Sequence, residues 1–418
     1  AKDGSIYDRS LIHPDRNNFA PRIGIAYSIN RRTVIRSAYG ISYIQFNRLG
    51  GENVLSYNGP TIVTVAINQT PGNPGFRPTQ DGYPANLAVP ENYSPLTSRV
   101  TFIPSDFRTP YVQSWHLTIQ RELARNLLLD VAYVGNHGTK LMALGDWNQA
   151  RPSRVGESLT VDQRRPIQGY SFIEIAYNGN SSSYNALQTK LEKRYARGVY
   201  LLNSFTWSKS IDFASGHLET GNGDTSRLNI RDVRNERGLS GYDRPFNNTT
   251  TVTYQAPKGR GAGAYLWGRW RASLINSMHS GQPVNLTYGP AANNQLSTVL
   301  NYRPNVIGDP MTPSGQRGPN NYLNRATVLV PTDVTHPYGN AGRNTARASS
   351  LYQADVRLQK TFPLHWEKSR LEFQAECFNL LNKTNFAAPA SSRSAANFGT
   401  ITSAYPARII QFALRFAF

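Results

Sequence analysis

Segments of roughly ten to twelve residues with strict two-residue alternation recur along the chain, and the connections between them switch between very short and very long. The short ones are "NRR" (30–32), "LARN" (123–126), "ARG" (196–198), "PKGRGAG" (257–263) and "PLHWEKS" (363–369). The long ones cover about 45–110, 136–182, 210–245, 289–350 and 382–406. A water-soluble sandwich has no reason to alternate in this way, and structureless loops of that length are uncommon inside a compact domain. An up-and-down barrel that crosses a membrane does have one: tight turns on one rim, long loops on the other. A β-propeller would show four-stranded blades every 40–50 residues, and no such period is present.

The alternation is clean in several segments. In "YQADVRLQKTF", Tyr352, Ala354, Val356, Leu358 and Phe362 share one face, interrupted by Lys360, while Gln353, Asp355, Arg357 and Gln359 share the other. In "RLEFQAECFNL", Leu371, Phe373, Ala375 and Cys377 oppose Glu372, Gln374 and Glu376. "YVQSWHLTIQREL" sets Tyr111, Trp115, Leu117 and Ile119 against Ser114, His116, Thr118 and Gln120. The last residues, "ARIIQFALRFAF", place Ile410, Phe412, Leu414, Phe416 and Phe418 on one stripe, with Gln411 and Arg415 between them. Chain ends are ordinarily polar and frayed; this one carries five large apolar side chains suited to hydrocarbon, with Phe418 at the level of an aromatic girdle.

Counting back from that stripe gives eleven spanning strands, near 19–29, 33–44, 111–122, 126–136, 184–195, 199–209, 246–256, 265–288, 351–362, 369–380 and 407–418. "YSFIEIAYNG" (170–179) breaks the parity if it spans, so it is assigned to an extracellular hairpin within the 136–182 excursion. Eleven is odd, whereas single-chain bacterial barrels are normally even-numbered. An open sheet in lipid also leaves backbone groups unpaired along its edges. The expectation is an all-β, antiparallel transmembrane barrel of which 1–418 is the C-terminal part, half of 22 strands. The other barrel half, plug and signal lie outside the chain; "AKDGSIYDRS" has neither the basic start nor the apolar core of a signal peptide.

Composition narrows the chemistry. No run of 18 apolar residues exists, so no transmembrane helix is expected. Cys377 is the single cysteine, which rules out an intrachain disulfide and a cysteine-rich metal site. The net charge is +19, yet the basic residues are dispersed singly, without the Lys/Arg block of a nucleic-acid binder. Such dispersion suits a solvated surface or anionic lipid headgroups. No HExxH motif or triad-like spacing is present, so the reading is non-enzymatic and without a cofactor. Gly259, Gly261 and Gly263 precede a strand rather than a helix and read as a turn rather than a phosphate cradle. Glu219, Asp224 and Asp232 lack the spacing of an EF-hand, and the solvated-loop reading is preferred to calcium.

Weak ligand candidates are His116, on a polar strand face, and the five arginines of the 289–350 loop, Arg303, Arg317, Arg325, Arg343 and Arg347. Arginine makes bidentate contacts with carboxylate and phosphate, so an anionic solute or lipopolysaccharide phosphate would suit these positions, as would plain hydration.

Taken in combination, "APRIGIAYSINRRTVIRSAYGISY" (20–43), "YVQSWHLTIQRELARNLLLDVAYVGNHGTKL" (111–141), "SSYNALQTKLEKRYARGVYLLNSFTWSKSID" (182–212), "WRASLINSMHSGQPVNLTYG" (270–289), "AECFNLLNKTNFAAP" (375–389) and the terminal Phe418 resemble the barrel half of TonB-dependent outer-membrane transporters of the Oar-like group. The resemblance implies a bacterial outer-membrane location and a 22-stranded barrel with an N-terminal plug. It implies loops that capture an extracellular ligand and energy supplied by the TonB complex through a missing N-terminal part. It also implies that the barrel-assembly machinery reads the terminal strand through Ile410, Phe412, Leu414, Phe416 and Phe418. A surface adhesive protein anchored by the same barrel, and a passive porin-like channel, are the rival readings.

Overall fold

The computed structural model describes residues 4, 12–44, 77–83, 89, 91, 94, 96, 99–215, 227–259, 266–297, 300–364 and 369–418. Eleven strands form one antiparallel wall in which each strand pairs with its neighbours in sequence. They are β1 (Arg22–Asn30), β2 (Thr33–Tyr43), β3 (Tyr111–Ala124), β4 (Leu127–Asp146), β5 (Phe172–Ala196), β6 (Val199–Asp212), β7 (Phe246–Gln255), β8 (Trp270–His279), β9 (Leu351–Pro363), β10 (Arg370–Phe378) and β11 (Ile409–Ala417). All five short connections fall on one rim and all five long ones on the other, as the connection lengths require. No helix among the described residues is long and apolar enough to cross a membrane, so any crossing is made by strands.

The tight rim is set by local chemistry. The β5–β6 turn has Arg197 and Gly198 at φ +51° and +81°, the pair of positive values that a two-residue hairpin needs to match strand twist. A Cβ on Gly198 would lie 2.5 Å from the Gln255 carbonyl oxygen, so the neighbouring hairpin also excludes a side chain there.

Register carries one apolar face around the wall. Phe412 pairs with Ala375, Ala375 with Leu358, and Leu358 with Ala272. The same face continues through Val252, Leu201, Leu129, Ile119, Ile35 and Tyr27. The opposite face holds Arg415, Glu376, Arg357, Arg271, Thr251, Gln188, His116 and Arg36. The stripe of Ile410, Phe412, Leu414 and Phe416 lies on the apolar face and is exposed, and Phe418 beyond it is almost fully exposed. Cys377 sits on the same face, level with Val356 and Ile410.

Lys360, the interruption in that stripe, is accommodated rather than exposed. Its ammonium donates to the carbonyls of Leu266 (3.2 Å) and Gly268 at the tight rim. It also lies 5.3 Å and 5.4 Å from the ring centres of Trp270 and Phe362. The alkyl stem stays on the apolar face and the charge reaches the interface. Trp115 shows a second accommodation: its indole lies flat on Gly135 of β4, where a Cβ would sit 2.4 Å from the ring.

Three strand boundaries differ from the sequence expectation. The 265–288 segment contributes only Trp270–His279 to the wall; Pro283–Val284 leaves it to pair with Ala346–Arg347 in the loop layer, and at the crossing Gly281 lies so close to the Ala348 carbonyl that no side chain fits there. β4 and β5 are longer than 126–136 and 184–195. Residues 172–179 of the 170–179 segment are no separate hairpin but the outer part of β5, paired from Asp146↔Glu174 to Ala143↔Tyr177 with the outer part of β4. The ladder thus runs on past the wall as a two-stranded tower, buttressed in parallel by Arg99–Phe102 and Arg227–Leu228. Leu144 and Ala176 form its small dry core.

Candidate functional site

Two places combine accessible polar groups with a shaped surface: the inner face of the wall and the layer built by the long loops.

The inner face carries two concavities. One, of ≈400 Å³, is lined by Thr251, Thr253, Arg271, Ser273, Asp355, Arg357, Gln359 and Glu376. Arg357 Nε meets Glu376 at 3.3 Å, Gln411 donates to the same carboxylate, and Asp355 accepts from Gln353 at 3.0 Å. The other, of ≈560 Å³, lies over β1–β5 and contains His116 with Arg22, Ser114, Thr118 and Gln188. Around them the wall is nearly bare backbone: Gly24, Ala38, Gly40 and Ala132. One half of the inner wall therefore offers charge and hydroxyls, and the other a smooth surface against which a second body can pack closely. His116 stands on the inner face, the polar side that the alternation indicates.

The described parts of the loops on the other rim form a layer. Residues of the β8–β9 and β10–β11 loops share a hydrophobic core of Val284, Leu286, Tyr322, Leu323, Val328, Ala346, Phe398 and Ile401. Tyr302 stacks on Tyr338 at 5.5 Å and meets Tyr288 edge-on at 6.1 Å.

The structure separates the five arginine candidates. Arg303 Nη1 is 2.7 Å from Glu236, with both side chains buried. Arg343 pairs with Asp212 and also donates to the Glu236 carbonyl at 3.1 Å and Ser215 Oγ at 3.1 Å. Arg347 pairs with Asp243, whose side chain is buried. These three stitch the β8–β9 loop to the β6–β7 loop, and their guanidinium groups are occupied. The β4–β5 loop joins the same seam through Gln149, which donates to Tyr338 Oη at 2.6 Å and Asn229 Oδ1 at 3.1 Å.

Arg317 and Arg325 are different. Arg317 lies 5.4 Å from the Tyr322 ring and donates to the Thr312 carbonyl. Arg325, exposed, lies 5.8 Å from the Phe398 ring. Arg393, from the β10–β11 loop, lies at the same distance from that ring. Sequence reading passes over Arg393, since nothing local marks it; its role is fixed by Phe398, five residues on. Burial and the neighbouring Arg325 push the Arg393 guanidinium below its usual range. Among the described residues none of these three is paired with a carboxylate. Of the calcium candidates, Glu219 and Asp224 lie outside the described residues, as do Gly261 and Gly263. No group of metal-ligating side chains is present among the described ones.

A sequential antiparallel meander, apolar on one face and polar on the other, with tight turns on one rim and folded loops on the other, defines the wall of a membrane-spanning β-barrel. The chain belongs to the outer membrane beta barrel domain family, which it matches over residues 1–411, and its location is the outer membrane. Among solved structures it is similar to the outer membrane transporter YddB from Escherichia coli, at 12% identity and a TM-score of 0.51, covering 95% of this chain and 40% of that one. It is also similar to a ferric enterobactin receptor mutant of Pseudomonas aeruginosa in complex with enterobactin (11% identity, TM-score 0.49, 95% and 40%). A third is the ferripyoverdine receptor of the same species (10%, 0.42, 94% and 32%). At such identities the likeness concerns the fold. The chain spans about two fifths or less of the length of these structures. No curated protein matches the sequence.

Proposed function

We propose that residues 1–418 are the C-terminal half of a 22-stranded, TonB-dependent outer-membrane transporter of the Oar-like group. A preceding half supplies eleven more strands and a plug. The observation that carries this reading is the open wall: among the described residues β1 and β11 each pair on one side only, and a lipid-exposed sheet edge is untenable without partner strands. In this reading the loop layer captures an extracellular ligand. The smooth and charged halves of the inner wall face the plug, and TonB energises passage through it. Arg317, Arg325 and Arg393 are the loop residues assigned to an anionic ligand, a phosphate-bearing solute or lipopolysaccharide, with Arg303, Arg343 and Arg347 holding the layer together. His116 is assigned to the plug-facing wall. The barrel-assembly machinery reads β11 through Ile410, Phe412, Leu414, Phe416 and Phe418.

The test uses the full-length protein. Reconstituted in planar bilayers it is expected to hold no steady ion current and to bind the purified periplasmic domain of TonB. A persistent open conductance without TonB binding favours the porin-like reading instead. A closed channel indifferent to TonB favours the surface-anchored one. Phe418→Ala combined with Phe412→Ala is expected to lower the assembled, heat-modifiable fraction several-fold.

A further inference from the structure

Among the described residues four charged side chains stand on the apolar face of the wall, Arg121, Lys193, Lys209 and Lys360, and no carboxylate shares it. Register fixes their places. Arg121 of β3 is level with Leu129 of β4 and Leu191 of β5. Lys193 of β5 is level with Leu127 of β4 and Leu201 of β6. Both therefore lie at the tight-rim end of the face, on either side of β4. Lys209 of β6 lies toward the long-loop rim, opposite Asn185.

Lys360 has its partners at the tight rim, the two turn carbonyls and the two rings described above. Arg121 and Lys193 are exposed, and among the described residues neither side chain meets a carbonyl, a carboxylate or a ring. The acids beside them in sequence, Glu122 and Glu192, stand on the inner face, level with each other across Leu128, and Glu192 is paired with Lys190 at 2.9 Å. Between the two cations β4 turns Leu127 and Leu129 outward, and Leu123 and Tyr195 next to them are exposed. The turns just beyond add Arg32, Arg125 and Arg197, all exposed and, among the described residues, without an acid. Glu122 N–H donates to the Arg32 carbonyl and Arg194 N–H to the Asn126 carbonyl, both at 2.8 Å, which ties each turn to the neighbouring strand end.

We infer that Arg121 and Lys193, backed by Arg125 and Arg197, form a seat for the phosphodiester headgroup of an anionic phospholipid in the leaflet that faces the periplasm, where the short turns of such a wall lie. Cations without partners on a lipid-facing surface call for an anion that is itself part of the lipid. Adjacent strands lie about 4.8 Å apart, so Arg121 and Lys193 stand roughly 10 Å apart across β4, within reach of two long side chains closing on one phosphate. The guanidinium supplies paired donors and the ammonium a point charge. The acyl chains then lie along Leu127 and Leu129. A zwitterionic lipid brings its own ammonium to the phosphate, so the seat favours a headgroup with net negative charge. An acidic protein in the periplasm could reach the turn arginines, but the leucine-bounded positions of Arg121 and Lys193 face hydrocarbon. The inference rests on the outer-membrane wall and the orientation of its turns, not on the transport reading.

The test is made on the full-length protein in nanodiscs holding phosphatidylglycerol and phosphatidylcholine in equal amounts, with native mass spectrometry of the lipids that the released barrel retains. Phosphatidylglycerol is expected to be retained at least fivefold over phosphatidylcholine. Arg121→Gln with Lys193→Gln is expected to bring that preference below twofold. Lys209→Gln, on the same face at the other rim, is expected to leave it unchanged. Equal retention of the two lipids by the unaltered protein overturns the inference and leaves these cations to an acidic protein. A preference that survives the double variant overturns it as well, and so does one that Lys209→Gln lowers equally, since net charge alone would then account for it. Should the double variant not assemble, the unaltered protein is crosslinked with a phosphatidylglycerol carrying a photoreactive diazirine in its headgroup. Adducts within 121–129 and 191–197 uphold the seat, and adducts spread evenly around the tight rim overturn it.

Discussion

The seam beneath the loop layer and the outer surface of that layer use the same side chain under opposite conditions. In the seam, Arg303 and Arg343 are buried, and every guanidinium meets a carboxylate from the end of β6 or from the β6–β7 loop. On the surface, Arg325 and Arg393 share one aromatic ring, and Arg317 has its own, with no carboxylate among the described residues. A buried arginine is held by charge it cannot leave without exposing an orphaned acid. A surface arginine on a ring is positioned by its flat face, and here each also gives an edge donor to a backbone carbonyl, Arg317 to Thr312, Arg325 to Ala395 and Arg393 to Val328, so that only the remaining donors can meet an incoming anion. Residue type alone thus separates neither role; what separates them is whether an acid from a distant loop arrives.

The largest effect is expected from breaking the seam. Arg343→Ala leaves Asp212 without its cation and should cost about 3–5 kcal/mol of local stability. Hydrogen exchange should quicken across 238–245 and 281–348 while the wall strands stay protected. Unchanged exchange there would show that the hydrophobic core of the layer suffices without the pairs.

A smaller loss sharpens the contrast. Asp212→Asn keeps the shape and one acceptor, and about 1.5–3 kcal/mol is expected, the value of a hydrogen bond to a charged group.

On the outer surface the balance reverses. Arg325→Ala should change stability by only about 0.5–1 kcal/mol, the value of an exposed cation–π contact, and adding Arg393→Ala, which removes a half-buried side chain that donates to the Val328 carbonyl, by about 1 kcal/mol more. Binding of lipid A diphosphate or of inorganic phosphate to the full-length protein in nanodiscs should weaken by roughly tenfold or more, about 1.4 kcal/mol per decade. Equal binding by the variant removes these residues from the ligand surface. Loss with lipid A alone identifies the lipid as the source of the phosphate.

The smallest effect is a pH dependence confined to the surface. Arg151 holds the Glu157 carboxyl down to about 2 by hydrogen bonding, with one bond of 2.8 Å. Asp333 is held to about 2 by Thr335 and then His336. A carboxyl lowered in the folded state contributes stability above its unfolded value and loses it as pH falls. The contribution is therefore complete above about pH 4.5 and fades toward pH 2. Protection against hydrogen exchange at 151–165 and 333–338, taken relative to the unfolded chain at the same pH, should fall first on acidification from pH 5 to pH 3.

Much of the wall was legible in the sequence because its determinants are local. Period-two alternation located all eleven strands, and connection length assigned their rims. His116 could be placed on the polar face by counting from Trp115. What the sequence concealed was non-local. Arg343 and its acid are 131 residues apart, Arg303 and Glu236 67, and no spacing announces such pairs. The tower was missed for another reason: the outer half of β5 alternates like a spanning strand, and parity could only exclude it as a crossing, not reveal that it prolongs one.

The prolonged β4–β5 ladder has a mechanical consequence. Its outer eight or so residues rise about 25 Å along the strands at ordinary strand geometry. Where they leave the wall the register shifts twice between Thr139 and Ala143, and Lys140 stands at φ +54°. Bulges bend a ladder and raise its twist, so a load applied at Trp147 or Ile173 meets this bent joint before it meets the barrel.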